Sequence, residues 1–148
     1  MDKHYYTPLQ LLKIATQHAY SAQTLLQNCP EFFEGHIEFR DPLLPIASLM
    51  YTAFQLTLKA YLLQEHQLIK QSKTLIELLE LNRDLNFSSQ DLELLKLLSR
   101  QVAYRKGLEY ELWQDRQQQY VFSTEIMKVY ERLQMMMPLE LQSDYLAR

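Results

Sequence analysis

Apolar side chains recur at intervals of three and four residues along most of this chain, and only Gly35 and Gly107 supply the backbone freedom of glycine. Leu, Gln, Glu and Lys, all good helix formers, are abundant. That pattern favours long helices over sheet. The expected fold is all-α, an antiparallel bundle of about five helices. With 148 residues the chain fits one domain, 1–148, able to bury roughly 70% of its extended surface without a disulfide or metal staple.

The helix boundaries are marked by capping residues. In Thr7-Pro8-Leu9-Gln10, Thr7 can cap, Pro8 suits the first helical position, and Gln10 can reach back to complete a capping box. Leu11, Leu12, Ala15, Ala19, Ala22, Leu25 and Leu26 share one side of this helix, opposite Gln10, Lys13, Gln17 and Thr24. It should end near Asn28. Residues 31–41 break the helical pattern, yet Phe32, Phe33, Ile37 and Phe39 are too apolar for a solvated linker.

Asp41-Pro42 or Leu44-Pro45 then opens a second helix, with Leu49, Ala53, Leu56, Ala60 and Leu63 on one narrow face. Met50, Phe54, Leu58 and Tyr61 fill adjacent sectors, leaving a thin strip of Ser48, Thr52, Gln55 and Lys59. A helix apolar around most of its circumference is buried on several sides, so this is the expected central helix. A short helix should follow over about 73–81. A fourth starts at Ser88-Ser89-Gln90-Asp91, with Leu94, Leu95, Leu98, Val102 and Leu108 in the core. The last runs over about 117–137, facing inward with Phe122, Ile126, Val129, Leu133 and Met136. Pro138 should end it, giving a core of about 8–137 and a loosely held tail over 139–148.

A formal charge of −3 offers no global attraction to nucleic acid or anionic lipid. The single Cys29 has no partner for an internal disulfide, which fits a reducing, cytoplasmic setting. The N-terminus has no apolar signal segment. Pro42 to Leu58 carries no formal charge, but Pro45, Ser48, Thr52, Gln55 and Thr57 suit a core helix better than a membrane span.

His4, His18, His36 and His66 show none of the short pairings of zinc or di-iron bundles, so no metal or other cofactor is expected. His18, at the edge of the first apolar stripe, reads as a hydrogen-bonded neighbour of the core. The segment Arg100 to Trp113 differs from the rest. Arg100, Tyr104, Arg105, Lys106, Tyr110 and Trp113 interleave cations with aromatics, a pattern that can hold a phosphate and stack a base. Glu109, Glu111 and Asp115 partly neutralise it, and the aromatics serve equally well as bundle packing.

The order and rhythm of these helices resemble the HEPN domain over roughly Pro8 to Met137. Leu49 to Leu63, with Thr57-Leu58-Lys59-Ala60-Tyr61-Leu62-Leu63, is similar to the second helix of that family. The Leu-rich segment at Leu75 to Leu81, the Ser-capped helix and the last amphipathic helix follow in the family's order. Active members carry an Arg followed four to six residues later by a His. No arginine here has a His at that spacing. Arg105 is the best match for the family's Arg, and Tyr110 stands where the His belongs. A His titrating near pH 6.5 can both take and give a proton during RNA cleavage, whereas Tyr, near pH 10, is a poor base.

The resemblance therefore implies a non-catalytic interaction module, a homodimer, and a partner such as a nucleotidyltransferase or the other half of a defence or toxin–antitoxin pair. No membrane association is expected. Two alternatives stay open: a divergent ribonuclease or RNA- or nucleotide-binding protein using Arg105 and Tyr110, and an unrelated helical adaptor or effector.

Overall fold

The computed structural model describes residues 6–29, 41–65, 74–103 and 115–146. These form six helices and no strand: α1 Pro8–Gln27, α2 Ile46–Gln64, α3 Leu75–Leu81, α4 Ser89–Ala103, α5 Arg116–Met135 and α6 Leu139–Leu146. The all-α class holds for the described residues.

Local chemistry sets the starts. Thr7 and Gln10 close the capping box reciprocally, the Gln10 amide donating to Thr7 Oγ1 at 3.1 Å and the Thr7 amide donating to Gln10 Oε1 at 2.8 Å. Thr74 and Glu77 do the same for α3. Ser88 Oγ accepts from the Asp91 amide at 3.0 Å. Of the two openings offered for α2, the chain uses Leu44-Pro45, since the helix begins at Ile46. Asp41 instead turns the chain, accepting from the Leu43 amide at 3.0 Å.

α2 is the centre of the molecule, touching α1, α3, α4 and α5. Its buried residues include Met50, Ala53, Phe54, Leu58 and Tyr61, while Leu49, Leu56 and Leu63 are only half-buried. Of the narrow face read in the sequence, Ala53 and Ala60 are buried and the three leucines pack along the flank of the core. Ala15, Ala19 and Ala22 of α1 and Ala47, Ala53 and Ala60 of α2 are all buried. Small side chains let helix axes approach, and the larger leucines are displaced to the flanks. Phe54 meets Tyr130 edge to face, with ring centroids 5.2 Å apart. Burial of each such large side chain contributes about 1.5–3 kcal/mol.

The bundle is not uniformly antiparallel. α4 and α5 do run in opposite directions, tied by Asp91 to Arg132. α2 and α5 are parallel: Thr57 meets Tyr130, and one turn on in both helices Tyr61 meets Leu133. The two helices are far apart in sequence, with α3 and α4 between them, so no tight turn forces them to reverse.

The end of the chain also departs from expectation. Residues 139–146 form α6, where a loose tail was expected over 139–148. Pro138 lacks an N–H to continue α5, yet its carbonyl accepts from the Gln142 amide at 2.9 Å, so the same residue that stops one helix starts the next. Leu141 is buried, and Tyr145 donates to Thr16 Oγ1 at 3.3 Å, fastening α6 to α1. Among the described residues no helix is long and apolar enough to cross a membrane.

Candidate functional site

Of the six residues singled out for anion or nucleotide binding, Arg100 is exposed in the last turn of α4. Tyr104, Arg105, Lys106, Tyr110 and Trp113 lie outside the described residues, as do the apolar loop at 31–40 and His4, His36 and His66. His18 is half-buried, with Nδ1 2.9 Å from the Ile14 carbonyl, in keeping with its reading as a core neighbour. Among the described residues no cluster of His, Cys, Asp and Glu could hold a metal ion.

Most of the polar groups brought together in the interior hold helices in place. At the start of α5, Arg116 Nε donates to Asp41 Oδ2 at 2.6 Å, with both side chains almost fully buried. Arg116, Gln119 and Ser123 then form one buried polar stripe of α5. Among the described residues the side-chain amides of Gln119 and Gln101 and the Ser123 hydroxyl form no hydrogen bond. Gln101, near the end of α4, is buried as well. The sequence does contain a signal for this stripe. Counting back from Ile126 in steps of three, four and three reaches Ser123, Gln119 and Arg116, whereas apolarity alone selects Phe122.

Cys29 closes α1 near this ion pair and is buried, its Sγ 3.3 Å from the Leu25 carbonyl. Burial pushes its thiol pKa up; Arg116 acts against that shift and Asp41 adds to it. A thiol held in its neutral form is a poor nucleophile. Toward the other end of α5 the buried groups are hydroxyls. Tyr61 donates to the Leu133 carbonyl at 2.7 Å, and Tyr130 lies 2.8 Å from Thr57 Oγ1. Burial raises both phenols, Tyr130 to about 12. Such phenols stay protonated at neutral pH and fasten helices.

A different kind of surface runs along α1. From Ile14 to Asn28 there is no Lys, Arg, Asp or Glu, a stretch of about 20 Å at 1.5 Å per residue. Gln17, Ser21, Gln23, Thr24 and Gln27 are exposed along it, and Tyr20 stands out at 70%. Beside this ridge, α1 and α5 part to leave two adjoining hollows. The first, about 180 Å³, is bounded by Ala19, Tyr20 and Tyr130; the second, about 330 Å³, by Leu26, Tyr120 and Thr124. Gln23, Met127 and Glu131 border both. The small side chain of Ala19 opens the first hollow, and the flexible thioether of Met127 separates it from the second.

Small-molecule sites typically enclose about 300–1,000 Å³ and bury most of their ligand. These hollows sit at or below that range and open along the helix pair, so they suit side chains projecting from another protein. The outer face of α4 provides the contrast, with Glu93, Lys96 and Arg100 all exposed. The α1 side of this groove is uncharged with an exposed tyrosine, in keeping with the centre of a protein interface, while Lys128 and Glu131 of α5 border the other side. No protein-family model, curated protein or solved structure matches the chain.

Proposed function

We propose that this protein is a non-catalytic interaction module of HEPN-like architecture, which works by binding other protein chains and whose basic form is a homodimer. The observation that carries this reading is the uncharged α1 ridge beside its groove, on a chain in which 22% of residues are charged. A solvated helix face of that length normally carries charges, as α4 does. Leaving them out lowers the desolvation cost of contact.

The resemblance in helix order supports the HEPN-like part of the reading. Tyr110 at the position of the family's His supports the absence of RNA cleavage. A nucleotidyltransferase, or the other member of a defence or toxin–antitoxin pair, is then the kind of heterologous partner to seek. The lone buried Cys29 fits a cytoplasmic setting.

Light scattering at micromolar concentration tests the first part, with a dimer as the expected result. A strictly monomeric chain removes it. Incubation with excess RNA at several pH values tests the second part. Cleavage that is lost in Arg105→Ala would replace this reading with that of a divergent ribonuclease.

A further inference from the structure

We infer that the first hollow of the α1–α5 groove takes a cation on an apolar stem, the side chain of a lysine or arginine presented by another protein. This rests on the interaction-module reading and names the chemistry of the heterologous partner.

Charge comes first. Among the described residues Glu131 is the one charged residue bordering this hollow, and it is exposed. The two cations beside it on α5 are engaged elsewhere: Lys128 Nζ lies 3.3 Å from a Glu125 carboxylate oxygen, and Arg132 Nη2 lies 2.7 Å from Asp91 Oδ1. Among the described residues Glu131 forms no hydrogen bond or ion pair. The hollow thus presents a carboxylate without a partner, beside an α1 ridge that has no charge from Ile14 to Asn28. Such a field repels an anion and attracts a cation.

The rest of the lining suits the same ligand. Tyr20 and Tyr130 both border the hollow, and aromatic rings attract lysine and arginine cations that approach their faces. The Thr16 and Tyr130 hydroxyls are already engaged with the Leu12 carbonyl and Thr57, which leaves the carboxylate and the Gln23 and Gln134 amide oxygens as acceptors. Ala19 and Met127 offer apolar contact to the methylenes of a long cationic side chain.

Size separates a side chain from a free small molecule. The hollow measures about 180 Å³ and opens along the helix pair, whereas enclosed small-molecule sites start at about 300 Å³. The second hollow, about 330 Å³ and bordered by Leu26 and Tyr120, shares Gln23, Met127 and Glu131 with the first. Residues two apart in an extended segment stand about 7 Å from each other on one face. A lysine in the first hollow therefore brings an apolar neighbour of its own chain to the second.

Amide chemical shifts of the isotope-labelled full chain, titrated with n-butylammonium chloride, test the site. Saturable shifts are expected at Tyr20, Gln23 and Glu131, and none from n-pentanol or sodium butyrate. Glu131→Gln should weaken the amine about fivefold, the size of an exposed ion pair. Glu93→Gln removes the same charge from exposed α4 and should leave binding unaltered. The peptide acetyl-Leu-Gly-Lys-Gly-Leu-amide should bind more tightly than the amine and extend the shifts to Tyr120 and Thr124. Equal shifts from n-pentanol, or unchanged affinity in Glu131→Gln, would overturn the cation site. A peptide that binds no tighter than butylammonium and leaves the second hollow unshifted would overturn the protein source in favour of a free amine. Dissociation of a dimer by the amine would give the hollow to a second copy and overturn the heterologous assignment. Light scattering reads the dimer separately, so failure of the module reading and failure of the cation site give different results.

Discussion

α5 carries an arginine near each end, and the two do different work. Arg116, in its first turn, is almost fully buried against Asp41; Arg132, in its last turn, pairs with Asp91 but leaves 45% of its side chain exposed. The helix dipole opposes a cation at the first position and favours one at the second. Arg116 is therefore held in a buried setting in which Asp41 offsets both desolvation and the dipole, whereas Arg132 has water and a favourable helix end as well. The Asp91 hydrogen bond is the main cause that raises the Arg132 pKa. A bond of similar appearance can be indispensable at one end of a helix and dispensable at the other.

The largest expected effect follows from breaking the buried pair. Asp41→Ala should cost about 3–5 kcal/mol in urea unfolding, the usual penalty for removing one half of a buried ion pair. Replacing both members, Asp41→Leu with Arg116→Met, should recover most of that loss. If the double variant is as unstable as the single one, the pair is needed for more than compensation.

Alkali should separate the two ends next. Tyr130 has its pKa raised to about 12, from the ordinary 10, and Tyr61 is raised as well, both chiefly by burial. A phenol with a raised folded pKa contributes stability that is fully present below pH 10. It is lost as pH rises from about 10 to about 12, by about 3 kcal/mol for Tyr130. Urea midpoints measured from pH 8 to 11.5 should be flat and then fall. Tyr130→Phe should flatten the fall, and an unchanged slope would show that the phenol is already solvated.

Arg132→Ala should be milder, about 1–2 kcal/mol, because buried Asp91 keeps the favourable dipole at the start of α4, and the difference from wild type should shrink in 1 M salt because the arginine is half in water. A loss equal to that of Asp41→Ala would erase the distinction between the two ends. Thr7→Ala is comparable in size but unrelated to charge: loss of the α1 cap should lower stability by about 1 kcal/mol, with no dependence on salt.

What the sequence disclosed divides along the same line between local and distant. Thr7 with Gln10, and Ser88 with Asp91, act over three residues, so their caps were readable from order alone. Asp41 and Arg116 are 75 residues apart, and Thr57 and Tyr130 are 73 apart. No local rule pairs such residues, and Thr57 simply interrupts an apolar run. Pro138 was legible as a stop, but its second role depends on Leu141 finding a place in the core. The ridge on α1 was visible as a polar strip opposite the apolar stripe. Its significance came only with α5 beside it, where Met127 and Ala19 leave a groove. The candidate anion site rested on a run of residue types, of which the described structure contains Arg100 alone.

The hydrogen bond from Tyr145 to Thr16 links residues 129 positions apart. A ribosome adds about 5–20 residues per second. The first helix therefore waits roughly 6–26 s for the segment that fastens its end, longer than most small domains need to fold. Throughout that wait the alanine and leucine stripe of α1 can be covered by α2, which is made next and packs on it most extensively. The order of synthesis thus lets the nascent chain protect its oldest apolar surface early and leaves the α6 clasp as the last step of assembly.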